Sequence, residues 1–182
     1  WDGLIPKLSS QSLLSAIESA KKTFPNLDRR LSSTPTAYQL YYKKSAYNWV
    51  SFSFEEAPSY DSSGTRIPQT KVGQVYCKSA SDRSLMHTLL NSKISFIWWC
   101  MVGDDFDVTK KDFEFLPCPE IVEDSAVLLR KLSVELNAEM QENVVYKLNA
   151  GKRVGNFNLA RCRDTTDRAD RVWSHALRLA DR

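Results

Sequence analysis

Asp104, Asp105 and Asp107 form a dense acidic cluster, the first place in this sequence to look for a metal. Asp105, Asp107 and Thr109 fall on positions one, three and five of a calcium-binding EF-hand loop. Lys110 stands at the sixth position, where the sharp turn needs glycine, and Leu116 at the twelfth, where a bidentate glutamate is needed. A calcium loop is excluded on those two residues. A metal-dependent nuclease needs two carboxylates and a lysine around one ion, and Asp105, Asp107 and Lys110 fit that pattern only loosely. A turn leading into a capped helical segment, with Thr109 and Asp112 as the capping pair, accounts for the same residues better. His87 and His175 are the only histidines, and neither has a second ligand beside it. The chain contains no G-x-S-x-G elbow, no H-E-x-x-H pair and no Cys set beside a His partner, so nucleophilic and zinc-dependent hydrolysis are not encoded. The six glycines are scattered without a G-x-G or P-loop spacing, so no cofactor cradle is expected.

What remains is a set of basic, amide and aromatic side chains in segments that read as loops. Lys43, Lys44, Tyr47, Asn48 and Trp49 cluster at a first connection, and Arg66, Gln69 and Lys71 in a second. Lys110 and Lys111 add cations just before a short helix. Lysine reaches phosphates, arginine donates to guanine O6 and N7, and asparagine and glutamine pair with adenine, so this is the composition of a DNA-reading surface.

The chain of 182 residues is 42 % hydrophobic and 26 % charged, enough to bury a core and unlike a disordered segment. Its strongest apolar stretch, Ile94 to Val102, is far short of the roughly 18 residues of a membrane span and is followed by Gly103 and acids. No segment reads as a secretory signal, and a first residue of Trp1 suggests a piece of a larger protein. Cys77, Cys100, Cys118 and Cys162 are widely spaced with no C-x-x-C pair, which favours reduced thiols and a cytoplasmic setting. The net charge of +3 is modest but uneven. Glu120 to Tyr146 carries six acids against Arg130 and Lys131, whereas Lys147 to Arg182 carries nine bases against four acids.

The elements that must position these residues follow from periodicity. Leu13, Leu14, Ile17 and Ala20 mark an amphipathic helix from Ser10 to Phe24, stopped by Pro25. Tyr38, Leu40 and Tyr42 alternate, as do Val50, Phe52 and Phe54, giving two antiparallel strands; Val72 to Lys78 reads as a third. Ala57 to Gln69, with two prolines and a glycine, reads as a long surface loop. Ser81 is expected to cap one central buried helix running through Leu85, Leu89, Leu90, Ile94, Ile97 and Trp98 to Gly103. One helical turn over Lys110 to Phe115, a long helix from about Glu123 to Leu148 and a final helix from about Thr166 to Ala180 complete the expectation.

Two segments then carry a resemblance. Leu89-Leu90-Asn91-Ser92-Lys93-Ile94-Ser95-Phe96-Ile97-Trp98-Trp99, with Gly103-Asp104-Asp105-Phe106-Asp107-Val108-Thr109-Lys110-Lys111-Asp112-Phe113-Glu114-Phe115-Leu116-Pro117, is similar to a segment in the C-terminal target-recognition domain of bacterial adenine-N6 DNA methyltransferases, including fused type IIG restriction-modification enzymes. The run from Arg153 through Gly155-Asn156-Phe157-Asn158-Leu159-Ala160-Arg161-Cys162-Arg163 to Asp170 resembles the ending of some members. With the aromatic strands before them, the matched parts reach from about Tyr38 to Trp173. The chain lacks the N-P-P-Y catalytic tetrapeptide and the glycine loop of a full member, which would belong upstream of Trp1.

The resemblance implies an α+β target-recognition domain, with a small antiparallel sheet packed on a buried central helix and long C-terminal helices after it. Residues 1–119 would form the recognition domain and 120–182 a helical region packing on it. The implied partners are double-stranded DNA and the catalytic methyltransferase domain of the same parent chain, with no membrane. The implied cofactor is S-adenosylmethionine, held by the parent and not by this segment, which alone would catalyse nothing. Trp98, Trp99 and Phe113 are read as core and the loop residues as the DNA surface. The alternatives are a specificity half of a type I restriction system and a protein-interaction scaffold domain; DNA reading demands that residues 43–49 and 66–71 share one basic face.

Overall fold

The structure, a computed structural model, describes residues 6–7, 10–45, 49–104 and 106–179. It is an α+β fold with two four-stranded antiparallel sheets. The first is formed by β1 (Leu31–Ser32), β2 (Gln39–Lys43), β3 (Phe52–Ser53) and β6 (Val72–Cys77) in the order β1-β6-β2-β3. The second is formed by β4 (Ser59–Tyr60), β5 (Arg66–Ile67), β7 (Val144–Asn149) and β8 (Lys152–Phe157) in the order β5-β4-β8-β7. Among the described residues six α-helices accompany them: α1 (Gln11–Thr23), α2 (Ala80–Leu90), α3 (Lys93–Val102), α4 (Lys111–Glu114), α5 (Glu123–Glu142) and α6 (Arg163–Ala176). None is long and apolar enough to cross a membrane.

Leu40 and Tyr42 of β2 and Val75 and Cys77 of β6 alternate into the core, where α2, α3, α5 and α6 supply Leu89, Trp98, Leu129 and Trp173. Residues on both sides of position 119 share this one core. The tryptophans and Phe113 of the sequence motif are buried: the Trp98 indole donates to the Asp112 carbonyl at 2.6 Å, that of Trp99 to the Asp107 carbonyl at 3.1 Å, and Phe113 meets Phe52 edge-on at 5.4 Å. The motif therefore fixes the turn at 104–112 against α3. Asp104 accepts from the Phe106 and Asp107 amides, and Asp112 from that of Thr109 at 2.6 Å, which is the turn and cap that the acidic cluster predicted.

The expected single central helix is two. Ser79, rather than Ser81, caps α2, accepting from the Asp82 amide at 3.0 Å. The break falls at Asn91 and Ser92. Asn91 is fully buried and grips β3 like a strand partner, accepting from the Phe52 N–H and donating to the Phe52 carbonyl at 2.9 and 2.8 Å, while Ser92 caps α3. The continuous apolar face hides this because both helices bury the same side.

The long helix ends at Glu142 instead of Leu148. Asn143 closes it by donating from both its backbone and its side chain to the Glu139 carbonyl, and the β-branched pair Val144-Val145 with Tyr146 starts a hairpin. Met140 and Val144 are four apart and mimic a continuing helical stripe. The final helix begins at Arg163, ahead of the expected Thr166, and ends at Ala176; Ala180 lies outside the described residues. The expected loop over Ala57 to Gln69 holds β4 and β5. Their turn is tied by the Asp61 carboxylate, which accepts from the Ser63 hydroxyl at 2.6 Å and from the Ser63 and Thr65 amides at 2.9 Å; the hydroxyl first, and then the amides, hold its pKa below the ordinary value.

Candidate nucleic-acid interface

The two sheets face each other across a cleft of about 590 Å³. One wall is the outward face of β2, with Tyr41 and Lys43; the other carries Val145 and Lys147 of β7 with Asn156 of β8, and the start of α6 closes one side. Gln69 braces the walls. Its side-chain amide donates to the Ala57 and Gly155 carbonyls, both at 2.8 Å, so its two N–H groups are engaged within the protein rather than presented to a base. Gly155 is needed where it stands, because a Cβ would lie 2.1 Å from the Pro58 carbonyl oxygen.

Lys43 is half-buried, and its ammonium donates to the Asn156 side-chain carbonyl across the cleft. Burial first, and then repulsion from Lys147, lower its pKa. An anion entering the cleft would relieve both effects. The carboxylates lining the same cleft already have partners. Asp167 bonds Lys93 at 2.5 Å, which keeps its pKa low; Asp170 accepts the Lys93 amide at 3.0 Å, and its burial raises its pKa; Glu56 accepts the Gln69 amide at 3.2 Å.

The other anticipated residues fall as follows. Lys44 and Lys71 are exposed and adjacent, the Lys44 amide donating to the Lys71 carbonyl at 2.9 Å, and Lys43 pairs with Val72 in register. Trp49 stacks on Phe96, ring centroids 4.3 Å apart, at the cleft wall. Arg66 is exposed on β5, in the second sheet. Lys110 lies 3.6 Å from Glu114 and Lys111 is exposed on α4; the Val108 amide donates to the Lys44 carbonyl at 2.7 Å, linking that turn to the first loop. Tyr47 and Asn48 lie outside the described residues. The structure thus joins Lys43, Lys44 and Lys71 directly, with Gln69 as a brace between the sheets and Arg66 on the neighbouring one.

Sequence reasoning named Arg66 but missed the cations of β7 and β8 in the same sheet. Arg66, Tyr60, Arg153 and Leu148 form one cross-strand row, so they share a face. The Arg153 guanidinium lies 4.7 Å from the Tyr146 ring centre and 5.9 Å from that of Tyr60. A usable signal was present: residues 143–163 contain Lys147, Lys152, Arg153, Arg161 and Arg163 and no acid. Among the described residues no group of three or more His, Cys, Asp or Glu is placed to hold a metal ion, and none of the four cysteines is in a disulfide. The chain matches no protein-family model, no curated protein and no solved structure.

Proposed function

We propose that this chain is the DNA target-recognition domain of a bacterial, cytoplasmic adenine-N6 DNA methyltransferase of the restriction-modification class. The observation that carries the reading is the gathering, from three separate segments, of Lys43 and Lys147 in one cleft with the adjacent pair Lys44 and Lys71 beside it; Arg66 and Arg153 add cations on the other face of the second sheet. The motif residues Trp98, Trp99 and Phe113 support it indirectly, as the core that holds those segments. On this reading the domain grips duplex DNA while the catalytic domain of the parent chain, loaded with S-adenosylmethionine, extrudes and methylates an adenine. Extrusion costs a few kcal/mol, which contacts made here help to offset. Val127 and Val134, exposed and seven residues apart on α5, give that catalytic domain an apolar surface to pack against.

The test is a salt titration of the chain on a fluorescent duplex. With about four phosphates neutralised, log affinity falls against log salt with a slope of roughly −3.6, about a 150-fold loss between 50 and 200 mM salt. An affinity independent of salt, or no binding at the low end, contradicts the reading.

A further inference from the structure

Resting on that reading, we propose that the β7–β8 hairpin enters the major groove of the duplex as a two-stranded ribbon, with Lys152 and Arg153 as its principal DNA contacts. The hairpin is built to project. β4 pairs with β8 only at Val154 and Arg153, so the part beyond Arg153 has no neighbour other than its own two strands. Ala150 and Gly151, both at positive φ of 47° and 76°, close it in a tight two-residue turn. All eight residues from Tyr146 to Arg153 are exposed, and β7 is an edge strand.

Its chemistry suits one occupant. A projecting edge strand is ordinarily protected from other chains by charge, and here every charge is positive, since no acid occurs between Asn143 and Arg163. Leu148 is 78 % exposed amid these cations, an apolar side chain of the kind that meets thymine methyls in the major groove. Its cross-strand partner Arg153 is stacked against Tyr146, which orders the guanidinium and leaves its N–H edge available for guanine O6 and N7. A two-stranded ribbon fits the width of the major groove and is too broad for the undistorted minor groove. Polyanion complementarity and groove fit together select duplex DNA over an acidic protein surface.

The test compares wild type with K152S and R153Q on the fluorescent duplex at one low salt concentration, with and without distamycin filling the minor groove. Both substitutions are at exposed positions, and unchanged melting temperatures are the check that the fold persists. The expected result is wild-type binding that survives distamycin and a loss of roughly 10- to 100-fold in each variant. Variants that bind like wild type overturn the ribbon's role while leaving the recognition reading in place. Displacement by distamycin overturns the choice of groove. Failure of the wild type itself to bind the duplex overturns the recognition reading and the ribbon with it, and binding to an acidic protein alone assigns the hairpin to a different partner.

Discussion

Trp98→Ala lowers the stability of the domain by about 3–5 kcal/mol, the cost of leaving a large cavity in a packed interior. The ring is 1 % exposed, and its indole N–H is spent on the Asp112 carbonyl, which belongs to the turn after α3. The truncation therefore removes both packing and the tie between α3 and α4. For a chain of this size the melting temperature falls by roughly 6–20 °C. DNA binding per folded molecule at low temperature stays near wild type, because Trp98 is distant in role from the cleft and does not line it. Thermal melts with parallel duplex titrations check this; an unchanged melting temperature with lost binding would move the ring from core to interface.

Stability falls as pH drops below about 6.5, and His87 is the cause. Its imidazole is fully buried between the Ser133 hydroxyl, 3.1 Å from Nδ1, and the Phe54 ring at 4.6 Å, and Nε2 has no hydrogen-bond partner. Burial first, and then the Arg83 charge, push its pKa down to about 3. Between that value and the unfolded value near 6.5 the unfolded chain binds a proton that the folded chain refuses. The loss approaches about 1.4 kcal/mol per pH unit well below 6.5, hence roughly 2 kcal/mol from pH 6.5 to 4.7, and this group contributes little above 7. Asp112 and Asp170 act in the opposite sense, since burial raises their pKa and protonation on acidification relieves it. The His87→Gln variant separates the two: urea midpoints at several pH values should converge on wild type as pH falls, and parallel profiles would show that the imidazole does not titrate in this way.

The apolar faces of the helices and three of the four strands of the first sheet were legible because their residues repeat with a period, whereas the two-residue β1 has no period to read. Leu13 to Ala20 give α1, and the alternation of Leu40 and Tyr42 gives β2. The acidic cluster was legible as a turn for a similar reason, since Asp104 and Asp112 are local caps whose partners lie two to three residues away. What escaped depends on distant partners. Asn91 breaks the central helix because Phe52, far off in sequence, offers it a strand edge, and nothing in residues 85–98 alone announces that. The β4–β5 pair is only two residues per strand and is held by β8, more than eighty positions later. The hairpin at Val144 was hidden by a leucine and methionine stripe in α5 that Val144 happens to extend at helical spacing.

The candidate site divides along the same line. Lys43, Lys44 and Lys71 could be proposed from local composition, and β2–β6 pairing brings them together. Gln69 looked like a base reader because an exposed amide in a loop is indistinguishable in sequence from a half-buried brace; the Gly155 carbonyl that engages it lies in the second sheet. Arg153 and Lys147 required the hairpin to be seen first.

The claim that the cleft between the sheets and the adjoining β7–β8 hairpin bind DNA is tested most directly by amide chemical-shift mapping of the ¹⁵N-labelled chain titrated with duplex at low salt. The account predicts shifts concentrated in residues 43–45, 69–72 and 144–157, at the cleft and along the hairpin. Shifts confined to the exposed face of α5 around Val127 and Val134, or a spectrum unmoved by saturating duplex, would contradict it.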